Sequence, residues 1–286
     1  MPERVLIVGS GFLGSNIAQE FRDHIVTQTN LTKIQKDSYI LNITDGKKVM
    51  DCFDEIKPSI VINCAANTEI DFLEKNAQIA YSINGDGAKN LAVAAERSNV
   101  RFIHISTDGV FDGICGNYTE DDKPNPINVY ARSKIIGEEH VIKNCSNHVI
   151  VRTNFYGYHP QNKFLFNNIL SKFRKKEQII GFDDVIFTPL EVSNLSRLIL
   201  DMASSNYVGI LNLASNESIS KYQFCCRIAE AFGFDLNLIR RGSIDDAGFI
   251  AKRPKNTSLV NTRSKQITKS KIISLTDWLL KIRELA

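Results

Sequence analysis

Val5-Leu6-Ile7-Val8-Gly9-Ser10-Gly11-Phe12-Leu13-Gly14 carries the chain from an apolar tetrad directly into three glycines. The tetrad has no polar alternation, so it reads as a strand covered on both faces. Beyond the glycines, Leu13, Ile17, Ala18 and Phe21 recur at helical spacing. Between a strand and a helix, Gly-x-Gly-x-x-Gly has a specific use. The backbone must turn tightly and come close to a pyrophosphate, whose charge then meets the amides of the helix N-terminus. A glycine-rich turn with no ligand is the bland alternative, and it leaves the strand before and the helix after unexplained. The stretch therefore predicts a dinucleotide site at the first β–α turn.

Outward from this point the alternation continues. Residues 25–27, 60–63, 102–105 and 148–151 read as further strands, with helical patterns between them at 91–95 and 135–141. Helices between doubly covered strands imply parallel crossovers, so the expected class is α/β, a doubly wound parallel Rossmann sheet. After Arg152 the rhythm changes. Residues 154–161 are aromatic and turn-rich, 164–176 read as a helix and 181–189 as a loop and strand. Then come a helix at 192–202, a strand at 209–213, a helix at 220–232, an irregular stretch at 233–262 and a last helix through Trp278. The division expected is a nucleotide-binding domain over 1–153, which also receives segments near 185–214. Residues 154–286 form mainly a smaller, interwoven α/β lobe for the substrate.

Composition narrows the function. The 286 residues suffice for one large α/β unit with an appended lobe. A hydrophobic fraction of 43% with 23% charged residues implies a packed core. The net charge of +3 is too small to argue for nucleic acid. The densest basic run, Lys172-Phe173-Arg174-Lys175-Lys176, reads as a solvated helix face. No window approaches the ~20 apolar residues of a membrane helix, and no leader pattern opens the chain, so a cytoplasmic protein is expected. Cys52, Cys64, Cys115, Cys145, Cys225 and Cys226 show no Cys-x-x-Cys spacing and no paired histidines. Buried reduced thiols are expected rather than disulfides or zinc, and no metal site is singled out.

A dinucleotide turn usually has an acidic residue ~20 positions on, holding the adenosine ribose. Here the second strand ends Thr27-Gln28-Thr29-Asn30, with no carboxylate. Small polar groups plus Lys33 could accept a 2′-phosphate, which leans towards NADPH over NADH. Further along, Tyr130-Ala131-Arg132-Ser133-Lys134 places Tyr130 and Lys134 at i, i+4 on one helix face. A free phenol titrates near ~10, and a neighbouring ammonium favours its phenolate. Such a pair can donate a proton to a carbonyl oxygen as hydride reaches the carbon. Alone, Tyr-x-x-x-Lys would be two surface residues. It is joined by Ser106-Thr107-Asp108 at the carboxyl end of a predicted strand, the edge where open parallel sheets bind ligands. Three motifs in this order favour an enzyme.

Together these residues resemble an extended short-chain dehydrogenase/reductase, and most of all the dTDP-4-dehydrorhamnose reductase family. The likeness runs through Asn42-Ile43-Thr44-Asp45, Val61-Ile62-Asn63-Cys64-Ala65-Ala66, and Ser106-Thr107-Asp108-Gly109-Val110-Phe111-Asp112-Gly113. It continues in residues 124–134 and Val151-Arg152-Thr153, and more loosely in Thr188-Pro189 and Arg253-Pro254. The resemblance implies that Tyr130 is the proton donor. Lys134 binds the nicotinamide ribose and lowers the tyrosine pKa, while Thr107 orients the sugar carbonyl with Asp108 beside it. Gly9, Gly11, Phe12 and Leu13 would cradle the pyrophosphate, Asn42 and Ile43 would border the adenine, and Ala65, Ala66 and Thr68 would line the cofactor groove. Asn154 and Phe155 would sit where nicotinamide and substrate meet, and a homodimer is implied. The chain departs from the family at Gly109 and Asn67, where it has tyrosines, at Asn154-Phe155, where it has Ser-Trp, and at Asn42, where it has aspartate. The first three departures alter the sugar pocket.

The leading expectation is reduction of a nucleotide-activated 4-keto-6-deoxy sugar. A nucleotide-sugar epimerase or dehydratase on the same fold is one alternative. A non-catalytic NADP-binding regulatory subunit is the other, and the intact Thr107, Tyr130 and Lys134 argue against it.

Overall fold

The computed structural model describes residues 2–32, 38–159 and 164–283. The first half runs β1 (Arg4–Val8), α1 (Phe12–Glu20), β2 (Ile25–Asn30), β3 (Ser38–Ile40), α2 (Gly46–Ile56), β4 (Ile60–Asn63), α3 (Ile70–Lys75) and α4 (Ala77–Ala80). A π-helical turn, Tyr81–Asp86, leads into α5 (Gly87–Arg97), β5 (Arg101–Ile105), α6 (Val129–Asn144) and β6 (His148–Thr153). The remainder is β7 (Phe155–Tyr156), α7 (Leu165–Arg174), β8 (Ile179–Phe182), β9 (Ile186–Phe187), β10 (Leu190–Glu191), α8 (Val192–Ala203) and β11 (Gly209–Leu213). It ends with β12 (Ile219–Ser220), α9 (Lys221–Phe232), β13 (Ile239–Gly242), α10 (Thr262–Ile267) and α11 (Leu275–Arg283).

One sheet of seven strands, in the order β11-β6-β5-β4-β1-β2-β3, forms the centre. Every pairing in it is parallel. The doubly wound class expected from the sequence is the one observed. The fully buried strands explain the absence of alternation: helices cover both faces. On one face Ile17, Phe21, Leu195, Leu198 and Met202 pack α1 and α8 against the sheet. On the other, Val49, Phe53, Leu91, Ala95 and Val141 do the same for α2, α5 and α6. Strand order reverses at β1, whose neighbours are β2 and β4. A ligand crevice opens at such a reversal, outside the carboxyl ends of the strands. The glycine turn lies there.

A third apolar cluster holds the rest of the chain together. Tyr156 and Phe166 meet Trp278 edge-on, at 5.0 and 4.9 Å between ring centroids, joining α7 to α11. Helix α9 completes it with Phe224, Ile228 and Ala229. Its start is fixed by a capping box between Ser220 and Gln223, and its end by Gly233 in the left-handed region, φ 71°.

Several elements lay outside the sequence reading. β3 and α2 went unread. β13, Ile239-Arg240-Arg241-Gly242, falls in the stretch read as irregular. It has little strand pattern of its own, and its parallel partner β8 makes it a strand. Lys33 lies outside the described residues. Among those residues no helix is long and apolar enough to cross a membrane. All six cysteines are free, but Cys115 is exposed rather than buried, because it sits in the irregular segment after β5 and outside every core cluster.

Candidate active site

The glycine turn divides its labour. Gly9 has φ +99°, and a Cβ there would press to 3.1 Å on the Ala65 amide nitrogen after β4. A Cβ on Gly14 would stand 2.0 Å from the Gly9 carbonyl oxygen, so the helix can pack on its own turn only without one. Gly11 is different. It is the N-cap of α1, and a Cβ on it would meet nothing within 4 Å. No side chain caps α1 and no acidic residue stands in its first turn. Free amides beneath open space suit a pyrophosphate. Phe12 and Leu13 bury their side chains, so only their backbone can serve it.

At the end of β2, Thr29 Oγ1 accepts from the Gly9 amide at 3.1 Å, and Ser10 Oγ donates to Asn30 Oδ1. The buried Asn30 Nδ2 and Gln28 Nε2 atoms have no partner among the described residues. Donors in this place suit a ribose or its phosphate. Asn42 is exposed and caps Thr44 through its carbonyl, while Ile43 is buried against Gly87. Ala65 donates to Asn63 Oδ1 at 3.1 Å, and Asn63 Nδ2 lies 3.0 Å from His104 Nδ1. This turn fits a dinucleotide.

Helix α6 brings Tyr130 and Lys134 to the carboxyl edge. Asn128 caps it by accepting from the Ala131 amide at 2.8 Å. The π-helical turn then clamps it: Asn84 Nδ2 donates to Ser133 Oγ at 2.9 Å and to the Asn67 carbonyl at 3.0 Å. Gly137 admits the Asn84 carbonyl so closely that a Cβ would stand 2.4 Å from it. Lys134 is 2% exposed and donates to the Ile105 carbonyl at 2.7 Å. Beneath it, Glu138 and Arg152 form a buried ion pair at 2.7 Å, which Ser106 joins by donating to Glu138.

Tyr130, Thr107, Asp108 and Asn154 face one cleft of about 480 Å³. Asp108 is buried and accepts from Thr257 at 2.6 Å, from Asn154 at 3.0 Å and from Thr107 at 3.2 Å. The opposite wall comes from the second half of the chain, including Lys172 on α7, Phe182 on β8, Lys221 on α9, and Phe249 and Arg253 between β13 and α10. Arg253 is held by Asp71 at 2.9 Å. Burial pulls Lys221 down to about 8 against the attraction of Asp108, and raises the Asp108 carboxyl against the hydrogen bonds of Thr257 and Asn154.

The surroundings of Tyr130 disfavour its phenolate. Burial pushes the Tyr130 phenol up to about 12, while a hydrogen bond with Thr107 opposes the rise and the charge of Asp108 adds to it. Lys134, bound to the Ile105 carbonyl, is itself pulled down to about 8 by burial, against the attraction of Glu138 and Cys64.

Asn154 and Phe155, adjacent in the chain, face different neighbours. Successive strand residues point to opposite sides. Asn154 therefore reaches Asp108, while Phe155 turns to Phe12, 6.2 Å between centroids, and is absent from the cleft wall. Thr68 lies on that wall, beside Tyr130 and Thr107. Lys172 is not part of a solvated face. It is half-buried and lines the cleft, because α7 turns Phe166, Ile169, Leu170 and Phe173 into the core and carries Lys172 at their edge. Lys221 and Thr257 escaped the sequence reading altogether. A lysine after a capping serine and a threonine in a loop carry no local signal.

A glycine turn at the switch point of a parallel sheet, opposite a buried tyrosine–lysine helix, defines an NAD(P)-dependent oxidoreductase of the extended short-chain dehydrogenase/reductase type. Residues 3–286 match the family described as RmlD substrate binding domain. The chain is 31% identical over 278 residues to the dTDP-4-dehydrorhamnose reductase of Aggregatibacter actinomycetemcomitans, with 92% of each covered. It is 28% identical over 279 residues to methionine adenosyltransferase 2 subunit beta of Rattus norvegicus, covering 90% of this chain and 80% of that one. It superposes with a TM-score of 0.92 and 28% identity on the crystal structure of dTDP-4-dehydrorhamnose reductase from Bacillus anthracis in complex with NADP, covering 100% of both chains. The chain belongs to the RmlD substrate binding domain family.

Proposed function

We propose that this protein reduces the 4-keto group of a nucleotide-activated 4-keto-6-deoxy sugar, with NADPH preferred to NADH. The observation that carries the reading is the meeting of Tyr130, Thr107 and Asp108 in a cleft walled by the second half of the chain. A bound nicotinamide dinucleotide supplies hydride. Tyr130 donates its phenolic proton to the keto oxygen, so that C=O becomes CH–OH. The Thr107 hydroxyl orients that oxygen, and Asp108 and Asn154 hold the far side of the ring. Lys134 anchors the ribose, Gly9 and Gly11 with the Phe12 and Leu13 amides hold the pyrophosphate, and Asn42 and Ile43 border the adenine. Ala65, Ala66 and Thr68 line the groove between. Preference for NADPH is supported by Thr29 and Asn30 at the end of β2, where no carboxylate stands to repel a 2′-phosphate.

The working unit proposed is a cytoplasmic homodimer joined through sheet-flanking helices. Exposed Ile79, Val93 and Ile142 on α4, α5 and α6 support it. For a dehydratase, Asp108 would have to act as a free base. Its oxygens already accept from Thr257, Asn154 and Thr107, which favours the reductase. The likeness to methionine adenosyltransferase 2 subunit beta supports a regulatory subunit as the second reading.

The test is NADPH oxidation by the purified protein with dTDP-4-keto-6-deoxyhexose. Turnover that falls by about 10²–10⁴ in Tyr130→Phe, with NADPH still bound, supports the reductase. Tight NADPH binding without turnover on any keto sugar moves the assignment to the regulatory subunit.

A further inference from the structure

Two cations in the cleft are left over once its other charges are paired. Arg253 is committed: it donates to Asp71 at 2.9 Å and lies 4.7 Å over the ring of Phe249. Asp108 is committed to three neutral donors. Lys172 and Lys221 both line the cleft, and neither ammonium makes a hydrogen bond or salt bridge with any described residue. The Lys221 ammonium rests 3.3 Å from the centroid of Phe187, a contact that leaves its N–H donors unused. An ammonium in an apolar cleft is costly until an anion meets it.

The two lysines reach one cleft from different helices. Lys172 comes from α7 and Lys221 from the start of α9, and both line the cleft with Cys225, on which both act electrostatically. A chain of interactions joins the tyrosine to the two lysines. Tyr130 interacts with Thr107, Thr107 donates to Asp108, Asp108 attracts Lys221, and Lys221 shares Cys225 with Lys172. Ile179, Ile180, Phe182 and Phe249 add apolar surface to the same cleft.

We propose that Lys172 and Lys221 are a two-ammonium clamp for the diphosphate of a nucleotide-linked substrate. The proposal rests on the nucleotide-sugar reading above and deepens it. A diphosphate diester carries two negative charges, which match two ammoniums, whereas a single carboxylate would leave one of them unpaired. The clamp also sets the substrate's direction. The sugar lies at Tyr130 and Thr107, the diphosphate between α7 and α9, and the base against Phe182 and Phe249.

The experiment is isothermal titration of the full chain with dTDP, UDP and GDP, with the matching nucleosides and NADPH as references. Lys221→Gln and Lys172→Gln should each weaken binding of the preferred nucleoside diphosphate about tenfold or more, as loss of a charge-assisted hydrogen bond does. Nucleoside and NADPH affinities should stay at wild-type values, and Lys221→Arg should keep most of the diphosphate affinity. A double glutamine variant that binds the diphosphate within about twofold of wild type overturns the clamp alone. So does a parallel loss of nucleoside affinity, which would mark the lysines as structural. A wild-type protein that binds NADPH but none of the three diphosphates removes the nucleotide-sugar reading, and the clamp falls with it.

Discussion

Lys134 stands one helical turn beyond Tyr130, yet its ammonium donates to the main-chain carbonyl of Ile105 at 2.7 Å. The lysine is thereby fixed to the end of β5, beside the crevice where a nicotinamide ribose would lie. Burial lowers its pKa from the ordinary 10.5 to about 8. A lowered base loses its proton earlier as pH rises, so the ammonium is present below about 8 and lost above it. The kcat/KM for keto-sugar reduction should therefore fall as pH rises through about 8. Lys134→Met should lose that limb and run about 10² or more below wild type at neutral pH. A pH profile of both proteins checks this, and a wild-type profile flat to about pH 10 contradicts it.

Gly11 and Gly14 should fail differently when changed to alanine. The new Cβ at position 11 touches nothing in the protein, so Gly11→Ala should fold with a loss of about 1 kcal/mol or less and weaken NADPH binding at least tenfold. At position 14 the new Cβ would stand 2.0 Å from the Gly9 carbonyl, so Gly14→Ala should lower the Tm as well. Thermal unfolding alongside NADPH fluorescence titration separates the two.

Asn30 should govern the choice of cofactor. Its carbonyl takes the Ser10 hydroxyl, and its buried Nδ2 is free to donate. An aspartate there accepts from a ribose 2′-hydroxyl and repels a 2′-phosphate. Asn30→Asp should raise the NADH:NADPH ratio of kcat/KM about tenfold or more. An unchanged ratio would place the discriminating group elsewhere.

The Glu138–Arg152 pair supports the site from below, with both side chains no more than 3% exposed. Glu138→Ala strands the guanidinium and also removes the acceptor of Ser106. A loss of about 3–5 kcal/mol is expected in urea unfolding. Glu138→Leu with Arg152→Met should recover much of that stability.

Much of the fold and half of the site were legible in the chain. Val5–Val8 and the Gly9–Gly14 turn carry their meaning within a few residues, because burial on both faces erases alternation and a tight turn demands glycine. Tyr130 and Lys134 share a face simply because helices repeat every 3.6 residues. The central parallel sheet followed from these local periods. β13 did not, since Ile239-Arg240-Arg241-Gly242 becomes a strand only by pairing with β8.

What the sequence by itself determined is therefore the sheet, the glycine turn and the tyrosine–lysine pair on one helix face, all written in short-range spacing. Tertiary structure alone decided the opposite wall of the cleft, where Lys172, Lys221 and Thr257 converge from three separate segments. It separated Asn154, which bonds Asp108, from Phe155, which packs on Phe12. It also set the sign of the Tyr130 shift, because desolvation depends on every atom packed around a group and not on the residues beside it in the chain.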